Sequence, residues 1–260
     1  MTTTIQLRDV RVRLEDDGQG APLLLLHGFP ATRHLWSQVA PRLVGAGFRV
    51  LTPDLVGYGD SEAPVGVRVD MASQARWMFE LLERVGAARP VVIAHDVGSA
   101  AAQLMVADRP ESIRGLVVLD GVCGTEWAME AIASIQAWAP AEAHRLYPVL
   151  GRRLAKSAAL REMLATYQGE AGGRRLIRAA RDLDPRETAG IGERLRASGV
   201  PALVLWGERD EFLTIEAVGQ PLADLLNAPL VKLPGGHFTP LDCPTEVTDA
   251  LGPFLASLPA

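Results

Sequence analysis

The chain has 260 residues, 48% of them apolar and 22% charged, the balance of a soluble globular protein with a full hydrophobic core. A formal net charge of −5, with no long basic run, excludes an electrostatic footprint for nucleic acid or an anionic membrane surface. Cys123 and Cys243 lie far apart and outside any C-x-x-C pair, so they support neither a disulfide framework nor a zinc site and read as packing residues.

At the amino terminus, "MTTTIQLRDV" lacks the basic and apolar regions of a secretion signal, and no later stretch is apolar for long enough to span a membrane. A cytoplasmic location with no membrane partner is expected. Ile5, Leu7, Val10, Val12 and Leu14 alternate imperfectly with polar residues around Arg8 and Asp9, which predicts an antiparallel hairpin near a sheet edge. Six runs follow that are apolar almost throughout: "APLLLLHG", "FRVLTPD", "PVVIAHD", "IRGLVVLD", "PALVLWG" and "APLVKLP". Such runs suit strands covered on both faces, so the fold class is α/β, with a mainly parallel sheet flanked by helices. Helices are predicted at about 33–45, 70–86, 98–108, 215–226 and 244–257.

The alternation breaks between "LVVLDGVCG" and "GVPALVLWG". The spacing there predicts an all-helical insertion, 122–196, over the carboxyl ends of the strands, with 1–121 and 197–260 forming one core. Trp127, Ile132, Ile135 and Trp138 form one apolar face at helical spacing, and core packing is the default reading of it.

Polar turns follow four of the strands: "HGFP" (27–30), "HDVG" (95–98), "GERD" (207–210) and "GGHFTP" (235–240). In open α/β sheets that edge is where ligands bind. At 94–98 the pattern is that of a nucleophile elbow, in which small residues two positions either side allow a sharp strand-to-helix turn around an exposed central residue. Ala94 and Gly98 are those residues, and Asp96 stands where the elbow usually carries serine. A carboxylate needs no base to be nucleophilic and suits displacement at an sp³ carbon, giving an ester that water must then cleave. That cleavage needs a base, and Asp96, Asp210 and His237 fall in the order nucleophile, acid, histidine. Asp120, at the end of "GLVVLD", is an alternative acid. A capping role for Asp96, a plain loop histidine at 237 and a surface position for Arg33 are the non-catalytic alternatives. Ser99 lies three residues beyond the elbow's centre, inside the following helix, which rules it out as the nucleophile.

"HGFPATRHLW", "DLVGYGDSEAP", "AHDVGSAAAQL", "LVLWGERDEFL" and "PGGHFTPLDCPTEV" together resemble α/β-hydrolases of the epoxide hydrolase and haloalkane or haloacetate dehalogenase branch. The resemblance covers the chain outside the insertion. It implies that Asp96 attacks, that His237 activates the hydrolytic water, that Asp210 orients the imidazole, and that the amides of Phe29 and Val97 form an oxyanion hole. His27 and His95 read as structural, and Tyr58 as part of a turn. It further implies an inserted helical cap that supplies the group serving the leaving atom, for which Tyr147, Tyr167, Trp127 and Trp138 are the candidates, with His144 beside them. Ala179 and Ala180 stand where relatives often carry a tyrosine pair, and Val97 stands where dehalogenases carry Trp or Arg. The expected function is hydrolysis of a small hydrophobic epoxide to a vicinal diol with water as co-substrate, needing neither cofactor nor metal. Organohalide cleavage is the alternative, and a non-catalytic binding protein on the same scaffold is the alternative of another class.

Overall fold

A computed structural model describes residues 1–148 and 157–259. Eight strands, β1 (Thr2–Gln6), β2 (Arg11–Asp17), β3 (Pro22–Leu26), β4 (Arg49–Pro53), β5 (Val91–His95), β6 (Gly115–Leu119), β7 (Ala202–Gly207) and β8 (Leu230–Leu233), form one sheet in the order β1-β2-β4-β3-β5-β6-β7-β8. β2 runs antiparallel to β1 and β4, and every other pairing is parallel. The edge hairpin and the parallel core thus follow the two sequence patterns, imperfect alternation and continuous apolar runs. All five residues of β5 and of β6 are buried, because helices cover both faces of the sheet there.

The helices are α1 (Ala40–Gly45), α2 (Met71–Val85), α3 (Gly98–Asp108), α4 (Met129–Gln136), α5 (Ala158–Ala165), α6 (Gly169–Asp182), α7 (Gly192–Ala197), α8 (Gln220–Leu226), α9 (Thr239–Asp242) and α10 (Pro244–Ser257). α2 starts where the Asp70 side chain accepts from the Ser73 amide at 2.8 Å, and it stops at Gly86, whose φ of +65° only glycine adopts cheaply. The helix expected at 33–45 is split into a short turn at Arg33–Trp36 and α1.

Between β6 and β7 the described residues contribute no strand to the sheet. α4 and α6 pack on each other, whereas α7 packs on α3 and α8 of the sheet layers. α4, α5 and α6 fall within the 122–196 segment expected to form the insertion. Residues 149–156 of that segment lie outside the described residues.

Arg33 is not the surface residue expected, nor is it free to grip an acidic substrate. It is buried, paired with Asp54, with Asp60 at 3.0 Å and with Glu15 at 3.1 Å, and its amide donates to Asp54 Oδ1 at 2.7 Å. One guanidinium thus ties together β2 and the turns after β3 and β4. Tyr58 sits in the second of those turns, fully buried, with its ring edge-on to His27 and Phe29.

Candidate active site

β5 ends at His95 and α3 begins at Gly98, leaving two residues for a reversal of direction. Asp96 absorbs it with φ +52°, a left-handed conformation that costs a non-glycine residue on the order of 1 kcal/mol. The small neighbours have a steric reason. A Cβ on Gly98 would collide with the His27 carbonyl, and one on Gly28 would collide with the Asp96 carboxylate. Ser99 is engaged in the turn, donating to the Asp96 carbonyl at 2.7 Å and accepting from the Val122 amide at 3.0 Å.

The bend holds the Asp96 carboxylate in a built environment. Its Oδ1 accepts from the Phe29 amide at 2.7 Å, and the Val97 amide also donates to it. Phe29 sits in the turn after β3, where the Phe29–Pro30 peptide is cis. The neighbouring His27 donates from Nδ1 to the Gly28 carbonyl and accepts the Leu55 amide at Nε2, each at 2.9 Å, so it is neutral and locks this turn to the one after β4. Burial lowers its pKa accordingly.

His237, in the turn after β8, brings its Nε2 to 3.5 Å from Asp96 Oδ2 and hydrogen-bonds Asp210 Oδ2 through Nδ1 at 2.9 Å. Asp210 is fixed in turn, its Oδ1 accepting from the amides of Phe212 at 2.8 Å and Leu213 at 3.0 Å. Burial alone would lower the His237 pKa, yet the hydrogen bonds and charges of Asp210 and Asp96 overcome it and raise the value to about 10. Burial likewise pushes Asp96 upward, and the hydrogen bond and charge of His237 reverse this, holding its carboxyl below the usual range. The resting site is thus a carboxylate beside an imidazolium.

Asp120, the other acid considered, faces a different set of partners. Its Oδ1 accepts from the Gly207 amide at 2.7 Å and its Oδ2 from the Thr239 hydroxyl. Fully buried, it is pushed up to about 8 by desolvation, so it is a neutral acid near pH 7 that ties β6 to β7 and to α9.

Over Asp96 and His237 lies a cavity of about 280 Å³ walled by Phe29, Pro30, Trp127, Ile135, Trp138 and Phe238, among others. Ile132 and Ser134 complete its α4 side, with Leu146 and Phe212 beyond. The apolar face at 127–138, read as core, is buried in the hydrophobic core and also lines this cavity. Phe212 and Phe238 were not singled out in the sequence, although each lies within two residues of Asp210 or His237. No side chain of Arg or Lys is among the described lining residues.

The four candidates for serving the leaving atom separate in space. Tyr147 and Tyr167 are absent from the described lining: the Tyr147 hydroxyl meets the Leu164 carbonyl at 3.3 Å and accepts from Gln168 at 2.7 Å, and the buried Tyr167 hydroxyl faces the Ala31 carbonyl at 3.5 Å. Burial raises the Tyr167 pKa strongly. Both hydroxyls are thus placed at backbone carbonyls. His144 is exposed, with Nδ1 on the Ala141 carbonyl at 2.8 Å. Trp127 does line the cavity, but its indole N–H is taken by the Gly124 carbonyl at 3.0 Å and the Thr188 hydroxyl at 2.9 Å. Trp138 also lines it, under the Arg145 guanidinium at 5.2 Å, and its N–H has no hydrogen-bond partner among the described residues.

Comparison with known proteins agrees with this fold. Residues 21–149 match a family model described as alpha/beta hydrolase fold. A fluoroacetate dehalogenase from Burkholderia sp. is 37% identical over 120 residues, 45% of this chain, but the match spans only 39% of that relative. Haloalkane dehalogenase 2 from Mycobacterium bovis is 27% identical over 266 aligned positions, covering 93% of this chain and 90% of the relative. Among solved structures, a point variant of a candidate epoxide hydrolase from Pseudomonas aeruginosa superposes with a TM-score of 0.78 at 27% identity, covering 99% of this chain and 96% of that one.

Proposed function

Since this chain has the α/β-hydrolase fold, in the branch that holds epoxide hydrolases and dehalogenases, we propose that it hydrolyses a small uncharged epoxide to a vicinal diol through an ester on Asp96. The observation that carries this reading is the pair of distances at one carboxylate: the Phe29 amide 2.7 Å from Oδ1 and His237 Nε2 3.5 Å from Oδ2. A carboxylate so placed has one oxygen fixed and the other beside the imidazole, and the surrounding wall is apolar.

In this mechanism an Asp96 oxygen attacks a ring carbon, the ring C–O bond breaks, and the alkoxide takes up one proton. Ester formation removes the negative charge of Asp96, one of the two charges that raise His237, so the imidazolium gives up its proton, which balances the one taken up by the alkoxide, and the neutral imidazole can act as base. His237 takes a proton from water as the oxygen adds to the Asp96 carbonyl carbon. The oxyanion then lies against the Phe29 and Val97 amides, already aimed at that carboxyl group. Collapse breaks the C–O bond to the diol oxygen, which takes the second proton of the added water, and leaves Asp96 a carboxylate and His237 an imidazolium, as at the start.

A specific observation favours a second reading, cleavage of an uncharged haloalkane. A departing halide needs N–H donors rather than a proton, and Trp138, whose N–H has no hydrogen-bond partner among the described residues, lines the cavity. A haloacetate fits less well, since no cation stands in the described lining and Arg33 is spent on three carboxylates. The test is a panel of styrene oxide, epoxybutane, bromobutane and chloroacetate, scored for diol and for halide release. Diol from an epoxide supports the first reading; halide release without diol transfers the proposal to the second.

A further inference from the structure

His95 takes no part in the chemistry described above, yet it is the side chain that reaches the backbone of His237. It is buried, and its Nε2 donates to the His237 carbonyl at 2.6 Å. Its ring lies 4.9 Å from the His237 ring and stacks on Phe238 at 5.8 Å. The donor fixes the tautomer: Nε2 carries the proton, and Nδ1, with no hydrogen-bond partner among the described residues, is a bare acceptor. Burial and the neighbouring His237 charge lower its pKa to about 4, which keeps it neutral across the working range.

The turn that carries His237 is tied on either side of that residue: the Arg209 amide donates to the Gly235 carbonyl at 2.9 Å, and the Thr239 hydroxyl meets Asp120. Gly236 donates its amide to Asp242 Oδ2 at 2.9 Å, and Asp210 holds only the imidazole's Nδ1 side. Asp210 acts on the imidazole through Nδ1, whereas the hydrogen bond from His95 acts on the backbone carbonyl of His237 itself. A shift of that peptide moves Nε2 relative to Asp96. We infer that His95 is a positioning residue for the ester-cleaving step, holding His237 in register with Asp96 through the His237 carbonyl. This rests on the proposed Asp96 ester. Its specificity for one step follows from the chemistry: attack by an ionised carboxylate needs no base, whereas cleavage of the ester needs His237 within reach of the attacking water.

The experiment follows both steps separately, by rapid quench and intact mass, in the wild type and in His95→Phe, His95→Gln and His237→Gln. Styrene oxide is the probe, with bromobutane in parallel. His95→Phe keeps the stacked ring and removes the donor. It should form ester at close to the wild-type rate and clear it about tenfold to a hundredfold more slowly, the scale of a small misplacement of a catalytic group. His95→Gln, with an amide donor of similar reach, should recover most of the loss. Equal slowing of both steps with a lowered melting temperature would mean a merely structural residue and overturn the inference. So would clearance at the wild-type rate in a His95→Phe enzyme while His237→Gln stalls as the ester. If His237→Gln gains no mass from either probe, the Asp96 ester itself is refuted and the inference falls with it.

Discussion

Nε2 of His237 stands 3.5 Å from Oδ2 of Asp96, close enough for the two charges to hold each other and for one water to bridge the imidazole and the carboxyl carbon once the oxygen has been esterified. The two side chains should therefore fail differently when replaced. Asp96→Asn removes the nucleophile and is expected to lower kcat by at least about a thousandfold with no covalent intermediate. His237→Gln should still be alkylated, and intact mass would show the adduct. An epoxide adds its whole mass, while a haloalkane adds its mass less that of the hydrogen halide, so one spectrum also identifies the leaving group.

The charge balance at His237 is open to direct titration. With both Asp210 and Asp96 ionised its pKa is raised to about 10, and Asp96→Asn removes one of those charges. An NMR titration of the imidazole should show the midpoint falling by about one unit or more in Asp96→Asn. A wild-type midpoint at the ordinary histidine value would contradict the geometry.

Asp120 offers a stability prediction with a definite sign. Its folded-state pKa is raised to about 8 by burial, so between its ordinary value of 3.8 and about 8 the folded state holds a proton that the unfolded state has released. Stability is then greatest at the acid end of that window and falls as pH rises through it, by up to about 1.4 kcal/mol per pH unit. His237, also raised, contributes the same sign at higher pH, from its ordinary 6.5 to about 10. Asp120→Asn can still accept from Gly207, and its amide can donate to Thr239 once that hydroxyl turns to accept, so chemical denaturation against pH should show a flatter profile with turnover largely retained. An unchanged slope between pH 5 and 8 would contradict the assignment of a neutral Asp120.

Arg33 should matter for folding and not for substrate charge. Arg33→Met leaves Asp54 buried without its cation, a loss of about 3–5 kcal/mol and a fall in Tm on the order of 10 °C. A stable variant with altered preference for acidic substrates would contradict this and assign Arg33 to substrate binding.

Much of the fold was legible because β3, β5, β6 and β7 are continuous apolar runs and α3 and α10 begin and end at the residues where their patterns do. Asp96 was legible because Ala94 and Gly98 flank it, and at Gly98 the small side chain is a steric requirement; Gly28, which meets the same carboxylate, lies far away in sequence and was not part of that pattern. What periodicity does not carry is direction. Nothing in the spacing of Tyr147 and Tyr167 tells that their hydroxyls meet backbone carbonyls rather than the cavity, or that the 127–138 face covers Asp96. Asp120 and Asp210 both end strands in the same style. Only the three-dimensional path of the turn after β8 decides that His237 meets the second and Thr239 the first.

The central claim, a bond between Asp96 and substrate carbon, is tested most directly by a single turnover in ¹⁸O water with enzyme in excess over styrene oxide, or over bromobutane should only halides react. The account predicts label in the peptide containing Asp96 and product carrying unlabelled oxygen from the enzyme. Label in the product with none in that peptide would mean direct attack by water and would contradict it.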